Sequence, residues 1–222
     1  MKPYVSIVIP TLNEQRNITA LISGIDRIMG KTSYEIIVVD GNSTDKTESI
    51  AERMGARILR ESVGKGYAIR KGIRAARGDI IISMDADLSN RPNELKLLIA
   101  GIEAGYDICT GSRFLTGGGS DDMPMIRRFG NKMFVLLVNL LYGSHYTDMC
   151  YGYRSFGRGV LERLDLKENG FGIETEINIK AQKRHLKILE VPSFEKLRSS
   201  EKAKLRGFSD GYVILRTIFK NL

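Results

Sequence analysis

The chain is poor in cysteine and has no apolar run long enough to span a membrane. Cys109 and Cys150 are its only cysteines, and they form no CxxC pair, so neither a structural zinc site nor a disulfide framework is indicated. A spanning helix needs about 20 apolar residues, whereas the longest apolar stretch, residues 133–142, is shorter and contains Asn139. The first residues lack a signal-peptide pattern. We therefore expect reduced thiols and a cytoplasmic protein, soluble or peripheral on the cytoplasmic face of a membrane.

Three further absences exclude classes of protein. No GxGxxG follows the first apolar run, which argues against a dinucleotide-binding oxidoreductase. The chain lacks the interleaved aromatic residues of a single-strand binder, so we expect no nucleic acid partner. No internal repeat or linker is visible, which indicates one domain. Positive charge, by contrast, is abundant: 34 Lys and Arg against 26 Asp and Glu give a formal charge of +8, which suits nucleotides, lipid phosphates or an acidic membrane surface.

The first half of the sequence alternates strand-like and helix-like segments. Apolar runs rich in β-branched residues predict strands over residues 5–9, 35–39, 56–59 and 80–84. Apolar residues at helical spacing predict helices over residues 17–29, 45–54, 67–76 and 95–104. This alternation implies an α/β fold with a mostly parallel central sheet flanked by helices. In such sheets, ligands bind beyond the carboxyl ends of the strands.

The second half of the sequence is less regular. Its glycine-rich segment, residues 117–122, predicts a flexible loop. The remaining segments predict, in order, an apolar helix over 125–142, a strand near 151–156, a helix over 174–183, a strand over 188–191, a basic loop over 193–204 and an amphipathic helix over 208–219. We expect these elements to complete the same domain.

Acidic and small polar residues follow three of the predicted strands. These strand-end segments are residues 10–14, residues 40–45 and Asp85-Ala86-Asp87. Because the carboxyl ends of parallel strands share one edge, we expect the three segments to form one site. Carboxylates are hard ligands suited to Mg²⁺ or Mn²⁺, which bind substrate phosphates directly. Asp85 and Asp87 alone would also fit a surface turn, but their position after a buried strand makes them candidate metal ligands that would steady a leaving diphosphate.

Four stretches, VSIVIPTLNE, VVDGNSTDKT, GKGYAIRKG and MDADLS, resemble the family 2 glycosyltransferases of the GT-A fold. The likeness continues through residues 111–114, 147–148, 152–154 and 172–176, and it is most like the enzymes that glycosylate polyprenyl (dolichyl-type) phosphate. It implies a single GT-A (Rossmann-like) domain in which residues 1–115 bind the nucleotide-sugar and residues 116–222 bind the acceptor. It also implies an inverting transfer of a hexose from a UDP- or GDP-linked donor at the membrane surface, with a divalent cation, Mg²⁺ or Mn²⁺.

The resemblance implies roles for individual residues of this chain. On the donor side these are Pro10, Thr11 and Glu14 at the nucleoside, Asp40 at the base, Lys65, Gly66, Ala86, Arg113, Arg198 and Lys204 near the donor, and Asp85 and Asp87 at donor and metal. On the acceptor side they are Arg127, Arg128 and Arg154, with Asp148 as a catalytic candidate. Gly66 would permit close backbone approach, and the basic loop would close over the diphosphate. Gly41 departs from the family pattern, which often has a second Asp there, and leaves base selectivity open.

Glu174 and Glu176 open the predicted 174–183 helix and are the other catalytic candidates. Family members that glycosylate hydroxyls place a base in this region. Because residues two apart on a helix do not share a face, at most one of the two should face the site. A hydroxyl acceptor needs such a base, whereas a phosphate monoester, with a second pKa near ~6, is already largely anionic at neutral pH. Two acceptors therefore stay open: a polyprenyl phosphate, or a hydroxyl of a glycan or small molecule with Glu174 or Glu176 as base.

The apolar 125–142 helix carries more hydrophobic residues than one buried face requires. Phe129, Met133 and Leu140 lie on one broad stripe, and Phe134 and Val138 extend beyond it. Core packing explains a single stripe. The excess, together with the two arginines at positions 127 and 128, favours a helix that docks in a membrane interface. We therefore expect a peripheral contact with a membrane.

Overall fold

A computed structural model describes residues 2–198 and 207–222. Within these ranges the chain forms nine strands: β1 (Val5–Thr11), β2 (Tyr34–Asp40), β3 (Arg57–Arg60), β4 (Ile80–Ser83), β5 (Ile108–Ser112), β6 (Gly119–Ser120), β7 (Arg154–Gly157), β8 (Ile188–Pro192) and β9 (Phe194–Glu195). The same ranges contain eight α-helices: α1 (Ile18–Met29), α2 (Thr47–Arg53), α3 (Lys65–Ala75), α4 (Leu95–Glu103), α5 (Met125–Tyr142), α6 (Val160–Leu164), α7 (Ile173–Lys183) and α8 (Gly207–Lys220). Strands and helices alternate from β1 to α4, as the sequence predicts.

The described residues place seven strands in one sheet, in the order β3-β2-β1-β4-β7-β5-β8. Neighbouring strands are parallel except at β7, which runs antiparallel to both β4 and β5. The predicted mostly parallel sheet is therefore confirmed. The β-branched residues of β1 and β4 are buried because helices cover both faces of the sheet.

Helices pack on both faces of this sheet and enclose two apolar cores. One core takes its helical residues from α1, α2 and α4, among them Leu21, Ala51 and Leu98. The other takes them from α3, α6 and α7, among them Ile69, Leu164 and Ile177. A third, smaller core joins α5, α7 and α8. No helix of residues 2–198 and 207–222 combines the length and apolar character needed to cross a bilayer.

The sequence pattern does not predict β5, β6 or β9. Strand β5 reads Ile-Cys-Thr-Gly-Ser, which is too small and polar to form an apolar run, yet it is wholly buried because β7 and β8 flank it. The glycine-rich segment expected to be a flexible loop contains β6, which pairs with β9 inside the expected basic loop. Residues 199–206, which include Lys204, lie outside the described part of the chain.

The carboxyl edge of the sheet gathers the candidate residues. Strand β1 ends at Thr11, β2 ends at Asp40, and β4 runs into the Asp85-Ala86-Asp87 segment. Because β7 is antiparallel, it begins at this edge, where Arg154 pairs with Ser83. Segments that are far apart in the sequence therefore meet beyond the same strand ends, as expected for a ligand site in a sheet of this kind.

Candidate active site

Lys65 joins two carboxylates at the carboxyl edge of the sheet. Its Nζ lies 2.8 Å from Oδ1 of Asp85 and 3.0 Å from Oε1 of Glu174. Lys65 begins α3, Glu174 lies in the first turn of α7 and Asp85 follows β4, so three elements supply what we call the charged cluster. Burial lowers the pKa of Lys65, but the charges of Asp85 and Glu174 outweigh it and raise that pKa above its ordinary value. The ammonium therefore stays charged at neutral pH.

Gly152 packs directly against the charged cluster. A Cβ atom at this position would lie 3.2 Å from both Lys65 Nζ and Glu174 Oε1, and 3.4 Å from Asp85 Oδ2. A side chain here would crowd the three charged groups, so the glycine leaves room for them. On another side, the Phe171 ring centre lies 6.0 Å from Lys65 Nζ, within the range of a cation–π contact.

The loop after β4 is shaped by hydrogen bonds from its own residues. The buried side chain of Asn90 accepts a bond from the Asp85 amide at 2.8 Å. Asp87 Oδ1 accepts bonds from the amide and hydroxyl of Ser89 at 3.1 and 2.6 Å. Between them Leu88 has a φ of 66°, a left-handed conformation that few residues other than glycine adopt. Oδ1 of Asp87 is thus committed to the loop, which fixes the direction of the carboxylate.

Arg198 reaches this loop and contacts three carboxylates. Its Nε lies 2.7 Å from Asp122 Oδ2 and 3.4 Å from Asp87 Oδ2, and its Nη2 lies 4.0 Å from Glu195 Oε1. These ion pairs connect the loop after β4, the glycine-rich segment and β9. The structure therefore places Arg198 beside a candidate metal ligand, whereas its predicted partner Lys204 lies outside the described residues.

Arg113 and Asp148 form a buried ion pair near these carboxylates. Arg113 Nε and Nη2 donate to Asp148 Oδ2 and Oδ1 at 2.7 and 2.9 Å, and Nη1 donates to Glu195 at 3.1 Å. The guanidinium also stacks on the Tyr151 ring, 4.7 Å from its centre. The Asp148 side chain has no exposed surface. The Asp148 carboxylate is therefore enclosed and bound by Arg113, and its catalytic role stays a prediction.

Arg154, predicted to contact the acceptor, is also enclosed. It is 2% exposed and donates to Asn178 Oδ1 at 3.0 Å and to the Tyr151 carbonyl oxygen at 2.5 Å. Burial lowers its pKa. Its Nη1 also lies 3.5 Å from the carbonyl oxygen of Glu174, so the guanidinium connects β7 to α7. The structure thus places Arg154 against the helix that carries Glu174, and a contact of Arg154 with the acceptor stays a prediction.

Gly66 and Glu176 contact the backbone of the chain itself. A Cβ atom at Gly66 would lie 2.6 Å from the carbonyl oxygen of Glu168. The group that approaches the Gly66 backbone closely in this structure is therefore the backbone of residues 168–170, at the position where the sequence predicts a donor. The buried carboxylate of Glu176 accepts hydrogen bonds from the amides of Lys167 and Glu168. Of the two acids that open α7, Glu174 contacts Lys65 and Glu176 contacts the backbone of residues 167 and 168, while a role of either acid as the base stays a prediction.

Polar side chains at the ends of β1 and β2 form a second group. Asp40 is 1% exposed; its Oδ1 accepts bonds from Thr11 Oγ1 at 3.2 Å and Ser43 Oγ at 2.6 Å, and its Oδ2 accepts one from the Ser43 amide at 2.7 Å. Glu14 is buried as well and accepts a bond from Asn17 Nδ2 at 2.7 Å. The predicted nucleoside residues thus lie at one edge. A bond from Asp40 to a nucleobase stays a prediction.

Arg127 and Arg128 lie in the first turn of α5. Arg128 lines a cavity of about 260 Å³ together with Arg113, Ser120 and Met123. The cavity lies between the start of α5 and the glycine-rich segment, next to the buried ion pair of Arg113. The structure thus brings Arg128 near the carboxyl edge of the sheet, and contact with an acceptor stays a prediction.

A family model described as Glycosyl transferase family 2 matches residues 6–165 of the chain. The chain belongs to glycosyl transferase family 2. A dolichol-phosphate mannosyltransferase of Pyrococcus furiosus is 32% identical, and the match covers 98% of this chain but 61% of the relative. A dolichyl-phosphate hexose transferase of Haloferax volcanii is also 32% identical, over 97% of this chain and 92% of the relative. The chain therefore spans less than two thirds of the first relative and most of the second. The resemblance predicted from the sequence is confirmed.

The fold of this family 2 glycosyltransferase matches solved structures. A crystal structure of glucosyl-3-phosphoglycerate synthase from Mycobacterium tuberculosis, in complex with Mn²⁺, UDP and glucosyl-3-phosphoglycerate, covers 99% of this chain. The match covers 80% of that protein, with a TM-score of 0.77 and 22% identity. At this identity the likeness shows the fold alone, and the predicted GT-A fold is confirmed.

Asp85 and Asp87 fit a hard divalent cation by the chemistry of their oxygens. A pair of carboxylates leaves most coordination positions to water and substrate phosphate, as Mg²⁺ prefers. Among residues 2–198 and 207–222, no three His, Cys, Asp or Glu side chains are grouped to hold a metal ion. Asp85 contacts Lys65 and Asp87 contacts Arg198, so a metal would compete with two ion pairs.

Several residues that shape the glycosyltransferase site are not predicted from the sequence. In the sequence Asn90 indicates only the start of a helix. Its position three residues after Asp87 could also have indicated a polar residue that shapes the site. Asp122 and Glu195 lie in segments expected to be loops, and nothing in their spacing indicates that they meet at Arg198. Their role follows from the pairing of β6 with β9, which brings the two segments together.

Proposed function

We propose that this family 2 glycosyltransferase transfers a hexose from a UDP- or GDP-linked donor to a polyprenyl phosphate such as dolichyl phosphate. The observation that carries the proposal is the Lys65 ammonium, which lies between Asp85 and Glu174. Glu174 is thereby a member of the donor-side cluster, whereas a hydroxyl acceptor requires a carboxylate directed at the acceptor. A phosphate acceptor needs no such base. The names of both relatives, each of which refers to a dolichol or dolichyl phosphate, support the same acceptor.

In the proposed reaction, an acceptor phosphate oxygen attacks the anomeric carbon while the bond from that carbon to the nucleoside diphosphate breaks, with inversion. The bonding electrons leave with the diphosphate. Lys65 and Arg198 would balance the negative charge on the leaving diphosphate, because both lie beside donor-side carboxylates. Pro10, Thr11 and Glu14 would border the nucleoside, and Ala86, between the two aspartates, would lie near the donor.

We propose that Asp85 and Asp87 hold a divalent cation, Mg²⁺ or Mn²⁺, in the working enzyme. When bound, such a cation neutralises negative charge on the diphosphate. The turn between Asn90 and Asp85 orients the two carboxylates beforehand. Arg198 and Lys65 keep that pair of acids from repelling one another, which preserves the geometry of the loop between turnovers.

We propose that α5 and α8 bring the enzyme to the membrane surface where its lipid acceptor lies, on the cytoplasmic side. The outward side chains of α5 include Phe129, Met133, Leu136 and Leu140, which are three or four residues apart and all exposed. On α8, Tyr212, Leu215 and Phe219 are exposed too. Arg128 and Lys132 are also exposed on α5, and their positive charges match anionic lipid headgroups.

The alternative is transfer to a hydroxyl of a glycan or small molecule, with Glu174 as the base. It is favoured by the place of Glu174 at the carboxyl edge of the sheet, where such a base would have to lie, whereas the ion pair of Glu174 with Lys65 favours the phosphate acceptor. The experiment incubates the protein and Mn²⁺ with a panel of UDP- and GDP-hexoses and a short polyprenyl phosphate. We expect a lipid-linked sugar with at least one donor. Absence of that product with every donor would overturn the proposed function.

A further inference from the structure

Glu176 has no place in the proposed chemistry, yet it is one of the most enclosed acids of the protein. It is 3% exposed, and its carboxylate accepts three hydrogen bonds of 2.8 to 3.0 Å from the amides of Lys167 and Glu168. Lys180, one turn later on α7, adds an ion pair at 2.7 Å. A buried carboxylate that accepts three hydrogen bonds from two consecutive amides of one loop is a fixed anchor for that loop. We call residues 165–170, which connect α6 to α7, the anchored loop.

The far side of the anchored loop holds the start of α3. The carbonyl oxygen of Asn169 accepts bonds from the amides of Gly66 and Tyr67, at 2.8 and 3.2 Å. A Cβ atom at Gly64 would lie 2.6 Å from that same oxygen, so the two backbones are in direct contact. The Asn169 carbonyl therefore satisfies two amides of the first turn of α3, which otherwise have no partner within the helix. Lys65 lies between Gly64 and Gly66, so the loop sets its backbone position.

A second side chain clamps the same loop from α3. Arg70 donates to the carbonyl oxygen of Leu166 at 2.9 Å and also to the side chain of Asn169. The anchored loop is thus fixed to α7 through Glu176 and to α3 through Arg70 and the first-turn amides. The two helices carry the two ends of the Lys65–Glu174 ion pair.

We propose that Glu176 is a positioning residue, which acts through the anchored loop to hold the Lys65 ammonium between Asp85 and Glu174. The expected effect on catalysis rests on the proposed function. The expected effect on the position of Lys65 rests only on the hydrogen bonds that fix the anchored loop. Glu176 touches no reacting group itself. Its loss would loosen the first turn of α3 and let the ammonium drift from the donor-side carboxylates, which weakens donor binding and charge neutralisation together.

The test compares Glu176→Ala, Glu176→Gln and Arg70→Ala with a core control on the same helix, Ile177→Val. Hydrogen exchange is measured at the Gly66 and Tyr67 amides, and the donor KM and kcat are measured with whichever donor of the panel is turned over. We expect Glu176→Ala to speed exchange at these two amides about tenfold or more and to raise the donor KM about tenfold. Glu176→Gln, which keeps one acceptor oxygen, should recover part of both effects, and Arg70→Ala should shift both in the same direction.

Ile177→Val lowers global stability but removes none of the hydrogen bonds that fix the anchored loop, so it should change neither measurement beyond its effect on overall unfolding. Equal exchange at Gly66 and Tyr67 in Glu176→Ala and Ile177→Val would overturn the inference. So would faster exchange with an unchanged donor KM and kcat. If wild-type protein turns over no donor, the proposed function fails, and exchange at the two amides still decides whether Glu176 holds the start of α3.

Discussion

Lys65 and Glu174 meet at 3.0 Å although they begin two different helices on opposite halves of the sequence. The same ammonium lies 2.8 Å from Asp85, which follows the central strand β4. A cation shared by two acids balances their repulsion and holds α3, α7 and the strand end in one arrangement. The proposed donor site depends on this arrangement.

Replacement of Lys65 by Met should therefore remove most of the activity. The change leaves two largely enclosed carboxylates without their shared cation and removes a charge that would face the diphosphate. We expect kcat/KM for the donor to fall by about 100-fold or more. The matched control is Lys71→Met on the same helix, which removes a part-buried ion pair with Glu61. Neither residue belongs to the charged cluster, so the control should leave kcat/KM within about twofold. Equal losses in the two variants would contradict the account.

Glu174→Gln distinguishes the two acceptor classes. If the acceptor is a phosphate, the amide keeps the shape of the side chain and no base is lost, so kcat should fall by no more than about tenfold. A base on a hydroxyl would instead make kcat fall by about 100-fold to 10,000-fold. The measurement is the pH profile of kcat for the two proteins, with lipid-linked product as the readout.

The outward face of α5 should bind anionic vesicles. Leu136→Asn with Leu140→Asn removes two exposed leucines from this face, and we expect the affinity for phosphatidylglycerol vesicles to fall by about tenfold or more in a flotation assay. Because both side chains are exposed, thermal stability should change little. Leu97→Asn, at an exposed leucine of α4, is the control and should float like the wild type. Flotation that is unchanged in the double variant would exclude this face as the docking surface.

The two thiols should be unreactive in the folded protein. Burial raises the pKa of Cys109 and of Cys150 to about 12 in each case, whereas an unfolded thiol ionises near ~8.5. The thiolate fraction at pH 8 is therefore small, and iodoacetamide should label native protein at least about 100-fold more slowly than protein in urea. Because the folded-state pKa is the higher one, these groups stabilise the fold fully below pH ~8.5, and that contribution is lost as the pH rises towards ~12. Rapid native labelling would show that the thiols are not enclosed.

The sequence predicts the α/β class and the edge of the sheet at which the site lies, because apolar β-branched runs and strand-end acids are local signals. It does not predict β5, whose five small or polar residues are buried only because two later strands flank it. The spacing of Glu174 and Glu176 shows that they face different ways, but which one faces Lys65 depends on how α7 packs against α3. Likewise Arg154 and Asp148 resemble site residues in sequence and are enclosed by tertiary contacts.

The most direct test of the central claim compares two acceptors that differ by one group. Wild-type protein, Mn²⁺ and the productive nucleotide-sugar are incubated with a short polyprenyl phosphate or with the matching polyprenol, in the same vesicles. Because the phosphate is already an anionic nucleophile and the alcohol is not, we predict sugar transfer to the phosphate at a rate at least about 100-fold higher. Transfer to the alcohol at a comparable or higher rate would contradict the account.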